Sequence, residues 1–251
     1  MIDKPKTALV TGSSRGIGAE TAIWLAEHGY DVCVNYLSNQ TAAEIVADKI
    51  KSLGRKSICI QADVSQESEV IRLFNEIDQQ LGQITHLVNN AGILFQQTDL
   101  LGLTEERINQ ILMSNVTSVI LCTREAVKRM KLNDDPKECS IVNVSSRASV
   151  LGAPGEYLDY AASKGAVDSL TIGLSKELAH WGIRVNAVRP GFIDTDIHAS
   201  GGEPDRIERV KSAIPLNRGG EAIEVAKAIG WLLSDEASYS TGAFIDISGG
   251  R

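Results

Sequence analysis

Thr11-Gly12-Ser13-Ser14-Arg15-Gly16-Ile17-Gly18 is the stretch that decides the fold. It follows an apolar, β-branched run at 7–11 and opens a segment with helical periodicity that stops at Gly29. In that segment Ala22, Ile23, Leu25 and Ala26 fall on one face. Each glycine of a turn between strand and helix can serve a physical purpose. Gly12 turns the chain sharply, Gly16 lets backbone approach an anion, and Gly18 permits close helix packing. The helix start adds unpaired N–H groups and a partial positive charge, a ready site for a diphosphate. The spacing is Gly-x3-Gly-x-Gly, and an ordinary tight βα turn would share it, so the surroundings must decide.

Working outward, further apolar runs recur at 31–36, 57–61, 86–89, 140–144, 184–188 and 243–247, with helical segments between them. Strands alternating with helices predict βαβ units. The expected fold is α/β: a single doubly wound Rossmann-type domain over 1–251, with a mostly parallel seven-stranded sheet and helices on both faces. The polar stretch 133–138 reads as a turn, and 195–218, with Gly201-Gly202 and two prolines, as a substrate-binding loop or lid.

Composition narrows the functional classes. A formal charge of −7 without a basic stripe argues against nucleic acid and anionic membranes as partners. No apolar run approaches the ~20 residues of a membrane helix. The N-terminal residues lack a signal-peptide core. Four scattered cysteines (Cys33, Cys59, Cys122, Cys139) show no paired spacing. These features predict a cytoplasmic protein. His28, His86, His180 and His198 form no ligand spacing, so no metal is expected. His28 and His180 read as ordinary helix-end residues.

The second informative stretch is Tyr160-Ala161-Ala162-Ser163-Lys164. At i, i+4 the phenol and the ammonium share one helix face. Holding a tyrosine near ~7 instead of 10 requires about 4 kcal/mol. A positive charge ~4 Å away at an effective dielectric near 20 supplies about that much. Tyr160 is thereby a candidate acid or base near neutral pH. Tyr157 is the rival tyrosine, but Ala161 stands where its lysine would be. A hydride carrier at the glycine loop and a proton donor at Tyr160 together read as a nicotinamide-dependent oxidoreductase. Asn35 and Tyr36 end the second run without the carboxylate that would bond a ribose 2′-hydroxyl, and Arg15 can meet a 2′-phosphate. NADP(H) is therefore expected over NAD(H), unless Arg15 is simply a solvated helix-start residue.

Over essentially its whole length the chain resembles the classical short-chain dehydrogenases/reductases. The resemblance is carried by the glycine loop, Asn89-Asn90-Ala91-Gly92, Asn115, Ser145-Ser146, Tyr160/Lys164, Pro190-Gly191-Phe192-Ile193-Asp194-Thr195, and the final segment from Thr241 to Gly250. It implies Tyr160 as general acid in reduction and general base in oxidation, with Lys164 tuning it and holding the nicotinamide ribose. Ser146, which closes the strand motif, would hold the substrate oxygen, with Ser145 as the alternative; Ser146 lies fourteen residues before Tyr160 where many relatives show thirteen, read as a one-residue insertion in 152–156. Asn115 would interrupt a helix and anchor a relay water; otherwise it is a tolerated polar residue. Gly12, Ser14, Arg15, Gly16, Ile17, Gly18, Asn35, Asn90, Ala91, Gly92, Pro190 and Gly191 are the implied cofactor contacts. Asp63 and Val64 would flank the adenine, although Asp63 could serve only as a turn or cap. Ile193 and Thr195 would contact the carboxamide.

Two substrate classes follow: 3-oxoacyl groups on a carrier protein, or sugars and other small alcohols. Trp181 stands where a carrier-docking arginine is expected; Arg124, Lys128 and Arg129 compensate in part. Glu156, Tyr157, His198 and 201–203 are candidate specificity positions. A catalytically silent NADP(H)-binding sensor or interaction protein is the alternative from another class. The resemblance also implies a homotetramer built on the helices at 104–131 and 157–181 and on the last strand.

Overall fold

The computed structural model describes residues 6–195, 201–203 and 205–251. Each apolar run becomes a strand, and all seven join one parallel sheet. The strands are β1 (Lys6–Val10), β2 (Tyr30–Tyr36), β3 (Ser57–Gln61), β4 (His86–Asn89), β5 (Ser140–Val144), β6 (Arg184–Pro190) and β9 (Phe244–Ile247). Two further strands, β7 (Ile193–Asp194) and β8 (Gly220–Glu221), pair with each other. They are too short to give a sequence signal.

The order across the sheet is β3-β2-β1-β4-β5-β6-β9. The direction of winding therefore reverses between β1 and β4, and helices on the two sides diverge there, leaving a crevice beyond the strand ends. The glycine loop leaves β1 and Asn90-Ala91-Gly92 leaves β4, so both flank that crevice.

The helices are α1 (Gly16–Glu27), α2 (Gln40–Ser52), α3 (Glu67–Gln80), α4 (Glu105–Leu112), α5 (Ser118–Met130), α6 (Ala148–Leu151), α7 (Leu158–Glu177), α8 (Arg206–Val210) and α9 (Ala222–Leu233). Alternation along each strand sends side chains to two cores. Ala8, Val10, Val32, Val34 and Val88 meet α1, α2 and α9, whereas Leu9, Cys33, Leu87 and Ile141 meet α3 and α5. That is why the strands read as unbroken apolar runs. Between α4 and α5 the helix widens into a π turn, Met113–Thr117, centred on Asn115. Within the segment expected as a lid, the described part carries α8 and a 3₁₀ turn at Lys211–Ala213.

Candidate active site

The glycine loop is built from the sheet outward. Gly12 and Gly16 take positive φ (62° and 56°), as the sharp turn requires. Thr11 Oγ1 accepts from the backbone N–H groups of Asn90 and Ala91, clamping the two strand exits together. Asn90 Nδ2 donates to the carbonyls of Thr11 and Gly12. Helix α1 begins with no side-chain cap and no acid in its first turn. Its N–H groups are thus left for an outside anion.

Gly12, Ser14, Arg15, Gly16, Ile17, Gly18, Asn35, Asp63, Val64, Asn90, Ala91 and Gly92 all line one cavity of about 420 Å³. Pro190, Gly191, Ile193 and Thr195 line a second, of about 470 Å³, together with Ser146, Tyr160 and Lys164. Ile17, Asn90, Gly92 and Thr195 border both, so the two form one groove. A groove with a glycine cradle at its middle fits an extended dinucleotide. One end would take adenosine beside Arg15, and the other would take nicotinamide beside Tyr160.

Two cofactor expectations change in detail. Asn35 reaches this lining, but its side chain is spent within the protein. Oδ1 accepts from Gly12 N at 3.1 Å, and Nδ2 donates to the carbonyls of Ile60 and Ala62. It pins the glycine loop to β2 and β3 and has no donor left for a ribose. Asp63 Oδ1 accepts from the N–H and the hydroxyl of Ser65, so it also builds the turn before α3.

At the other end, Tyr160, Ser146 and Lys164 converge on the floor of the larger cavity. Ser146 lies close enough to the Tyr160 phenol to pull its pKa down, and Ser146 Oγ accepts from Ala148 N. Ser145 donates to Asp168 Oδ1 at 2.6 Å. Both serines line the cavity, and Ser145 is the one whose hydroxyl is committed to a neighbouring carboxylate. In the turn after α6, Gly152, Ala153 and Gly155 all have positive φ.

Lys164 is buried, and its Nζ donates to Val144 O at 2.8 Å. It lies 5.6 Å from the Tyr160 ring centroid. This corrects the electrostatic expectation. Burial pushes the Tyr160 phenol above its usual range, and the opposing pulls come from the Ser146 hydrogen bond and the Arg206 charge. Lys164 is itself held down to about 8 by burial, with Asp168 pulling it back up. Helical spacing placed the two side chains on one face. It could not reveal that a β5 carbonyl would hold the ammonium.

Asn115 is fully buried in the π turn. Oδ1 accepts from Ile93 N, while Nδ2 donates to Ile93 O and Ser163 Oγ. It thus braces the chain after β4 against α7, behind the cavity rather than in its lining.

Glu156 and Tyr157 line the cavity, as does Arg206, which sequence reasoning missed. Arg206 is buried between the Tyr157 and Phe192 rings, 4.7 and 5.2 Å from their centroids, and pairs with Glu156 at 2.5 Å. Glu203 accepts from Gln97 and Arg209. An arginine in the polar stretch 205–211 carries no signal that it will turn inward. His198 lies outside the described residues.

Comparison with known proteins adds an independent result. A family model described as Enoyl-(Acyl carrier protein) reductase matches residues 12–251. An uncharacterized oxidoreductase of Escherichia coli K12, YgfF, is 60% identical over 97% of this chain and 99% of its own. A 3-oxoacyl-[acyl-carrier-protein] reductase, FabG, of Staphylococcus epidermidis is 38% identical over 98% of each chain. Among solved structures, a short chain dehydrogenase from Burkholderia cenocepacia in complex with NADP superposes with a TM-score of 0.89. It is 34% identical, covering 98% of this chain and 97% of its own.

Proposed function

The chain belongs to the short-chain dehydrogenase/reductase family and is an oxidoreductase, and on that premise we propose that it interconverts a carbonyl and a secondary alcohol using NADP(H). The observation that carries this reading is the convergence of Tyr160, Ser146 and Lys164 in a cavity continuous with the glycine-loop groove. When bound, the cofactor supplies or accepts the hydride. The side chains do the rest. Ser146 holds the substrate oxygen, and Tyr160 gives that oxygen a proton in reduction and takes it back in oxidation. Lys164 holds the nicotinamide ribose beside them. Asn115 keeps the segment after β4 fixed against α7, where a relay water would be anchored.

The preference for NADP(H) rests on charge. Among the described residues, Arg15 is the one basic side chain lining the adenosine end, and Asp63 is the one acid. The exit of β2, Leu37-Ser38-Asn39, offers no carboxylate to repel a 2′-phosphate. Arg15→Ala is expected to weaken NADPH binding by about 10- to 100-fold, the range of one lost charge-assisted hydrogen bond. NADH binding should stay unchanged, and fluorescence titration with both cofactors reads the difference. A wild-type preference for NADH would overturn the NADP(H) assignment.

Of the two substrate classes, a small free carbonyl or alcohol fits better than a carrier-bound acyl group. The basic side chains that could dock an acidic carrier are already paired. Arg124 binds Glu67, Lys128 binds Glu125, and Arg129 binds both Asp78 and Glu125. NADPH consumption across diketones, aldehydes, quinones and acetoacetyl thioesters tests this, with sugars and alcohols run in reverse with NADP. Turnover restricted to carrier-linked thioesters would reverse the choice, and tight NADPH binding without turnover would favour a sensor.

We further propose a homotetramer and a cytoplasmic location. The exposed faces of α5 and α7 form a shallow groove lined by Val116, Ile120, Ala166, Leu170 and Leu174, where the first interface is expected. Light scattering at several concentrations checks the subunit count. All four cysteines are free, which suits a reducing compartment. No described helix is long and apolar enough to cross a membrane.

A further inference from the structure

We propose that Asp168 is a positioning residue of the reaction: its buried carboxylate ties the end of β5, which carries Ser146, to α7, and supplies the negative charge opposite the Lys164 ammonium. The proposal rests on the roles given above to Ser146, Tyr160 and Lys164.

Tyr160, Lys164 and Asp168 follow one another at i, i+4 along α7, one turn apart on the same face. Asp168 is 8% exposed, so its charge must be compensated from within. Oδ1 accepts from the Ser145 hydroxyl at 2.6 Å. Oδ2 accepts from Arg189 Nε at 3.0 Å and lies 2.9 Å from its terminal nitrogen. Ser145 Oγ also lies 3.2 Å from the carbonyl of Lys164 itself. The residue immediately before Ser146 is thus fastened to the helix that carries the tyrosine, and it is fastened through Asp168.

The arrangement is more than a structural tie. Arg189 stacks over Phe244 at 4.0 Å, and Asp246, 3.9 Å away, has Arg147 as its nearer partner. Among the described residues, Lys164 meets little else that is charged. Tyr160 lies on its own helix, Val144 O accepts its hydrogen bond from β5, and Gly92 after β4 and Asn115 in the π turn lie nearby as neutral groups. Arg206 acts on Tyr160 from α8 with the opposite sign. Asp168 is the negative charge that offsets the cost of burying the ammonium.

The test labels lysine with ¹³C and follows the Lys164 Cε resonance against pH, assigned by its loss in Lys164→Met. This readout needs no turnover, so it decides the proposal even if the enzymatic reading fails. Wild type should titrate near 8. Asp168→Asn keeps the shape and removes the charge, and Lys164 should then titrate about one to three pH units lower. The basic limb of kcat/KM should move with it: a one-unit drop gives about a fivefold loss at pH 8 and almost none at pH 6, and a larger drop gives a larger loss that is always greater at pH 8 than at pH 6. Asp168→Glu should restore the titration. Arg189→Met should shift Lys164 in the opposite direction, upward, and serves if Asp168→Asn does not fold. An unmoved Lys164 in either folded variant, or an equal loss at every pH, would overturn the proposal.

Discussion

Replacing Tyr160 by Phe is expected to lower kcat/KM by about 10²- to 10⁴-fold, the usual worth of a positioned proton donor. NADPH binding should stay within about threefold. The ring is retained, so its packing in the cavity and the nearby Lys164 contact survive. What disappears is the proton next to the Ser146 hydroxyl. The pH behaviour of the wild-type protein gives this prediction a sign. Burial raises the Tyr160 phenol above its ordinary value near 10, while Ser146 and Arg206 pull it down. Below that titration the phenol is protonated, as its proposed role in reduction requires, so carbonyl reduction should be insensitive to the tyrosine at neutral pH and fall as pH rises through its pKa. Oxidation needs the phenolate and should rise over the same range. Single-turnover NADPH oxidation at several pH values, with NADP reduction run alongside, measures both limbs. Undiminished turnover in the variant would assign proton transfer to another group, and loss of NADPH binding would mean that the hydroxyl serves the cofactor rather than the substrate.

The parts of this molecule that were legible in its sequence are those fixed by local repetition. The strand runs were readable because burial on both faces makes most positions apolar; three observed strands coincide with them and four differ by one or two residues at an end. Pro190, for instance, extends β6 beyond the expected Val188. The glycine loop was legible because Gly12 and Gly16 occupy conformations that other residues resist. What stayed hidden depends on where a polar side chain turns after the chain has folded. Asn35 reads as a cofactor contact from its place at a strand end, yet it faces inward to hold Gly12. Asp168 carries no signal of its own in the sequence, and Arg206 is one of several charges in a polar stretch. Their partners, Ser145 and Glu156, lie 23 and 50 residues away along the chain. No periodicity within a helix can report contacts of that range.

The cradle for the diphosphate depends on closeness as much as on charge, and Gly18→Ala should expose that. Gly18 does not need a left-handed backbone, so the cost of a side chain there is purely steric. A Cβ at this position would lie 2.5 Å from Asn90 Nδ2, 2.6 Å from Gly12 O and 2.9 Å from Ser13 Cα. None of these can step aside cheaply. Two belong to backbone, and the amide nitrogen is already donating to the carbonyls of Thr11 and Gly12. Either α1 slides away from the strand exits, or Asn90 swings out and both hydrogen bonds are lost. Overpacking of this kind costs about 1–3 kcal/mol of stability. The same displacement moves the uncapped N–H groups at the start of α1 away from the groove. NADPH affinity should therefore fall by about tenfold or more, equivalent to roughly 1.4 kcal/mol. Gly165→Ala is the control, because a Cβ there meets nothing within 4 Å and sits inside α7. It should raise stability by up to about 1 kcal/mol through helix propensity alone and leave NADPH affinity unchanged. Thermal melts and NADPH titrations on both variants separate the two effects. A Gly18→Ala protein that keeps wild-type affinity would show that the loop can open without losing its anion site, and that the helix dipole and Arg15 suffice to hold the cofactor.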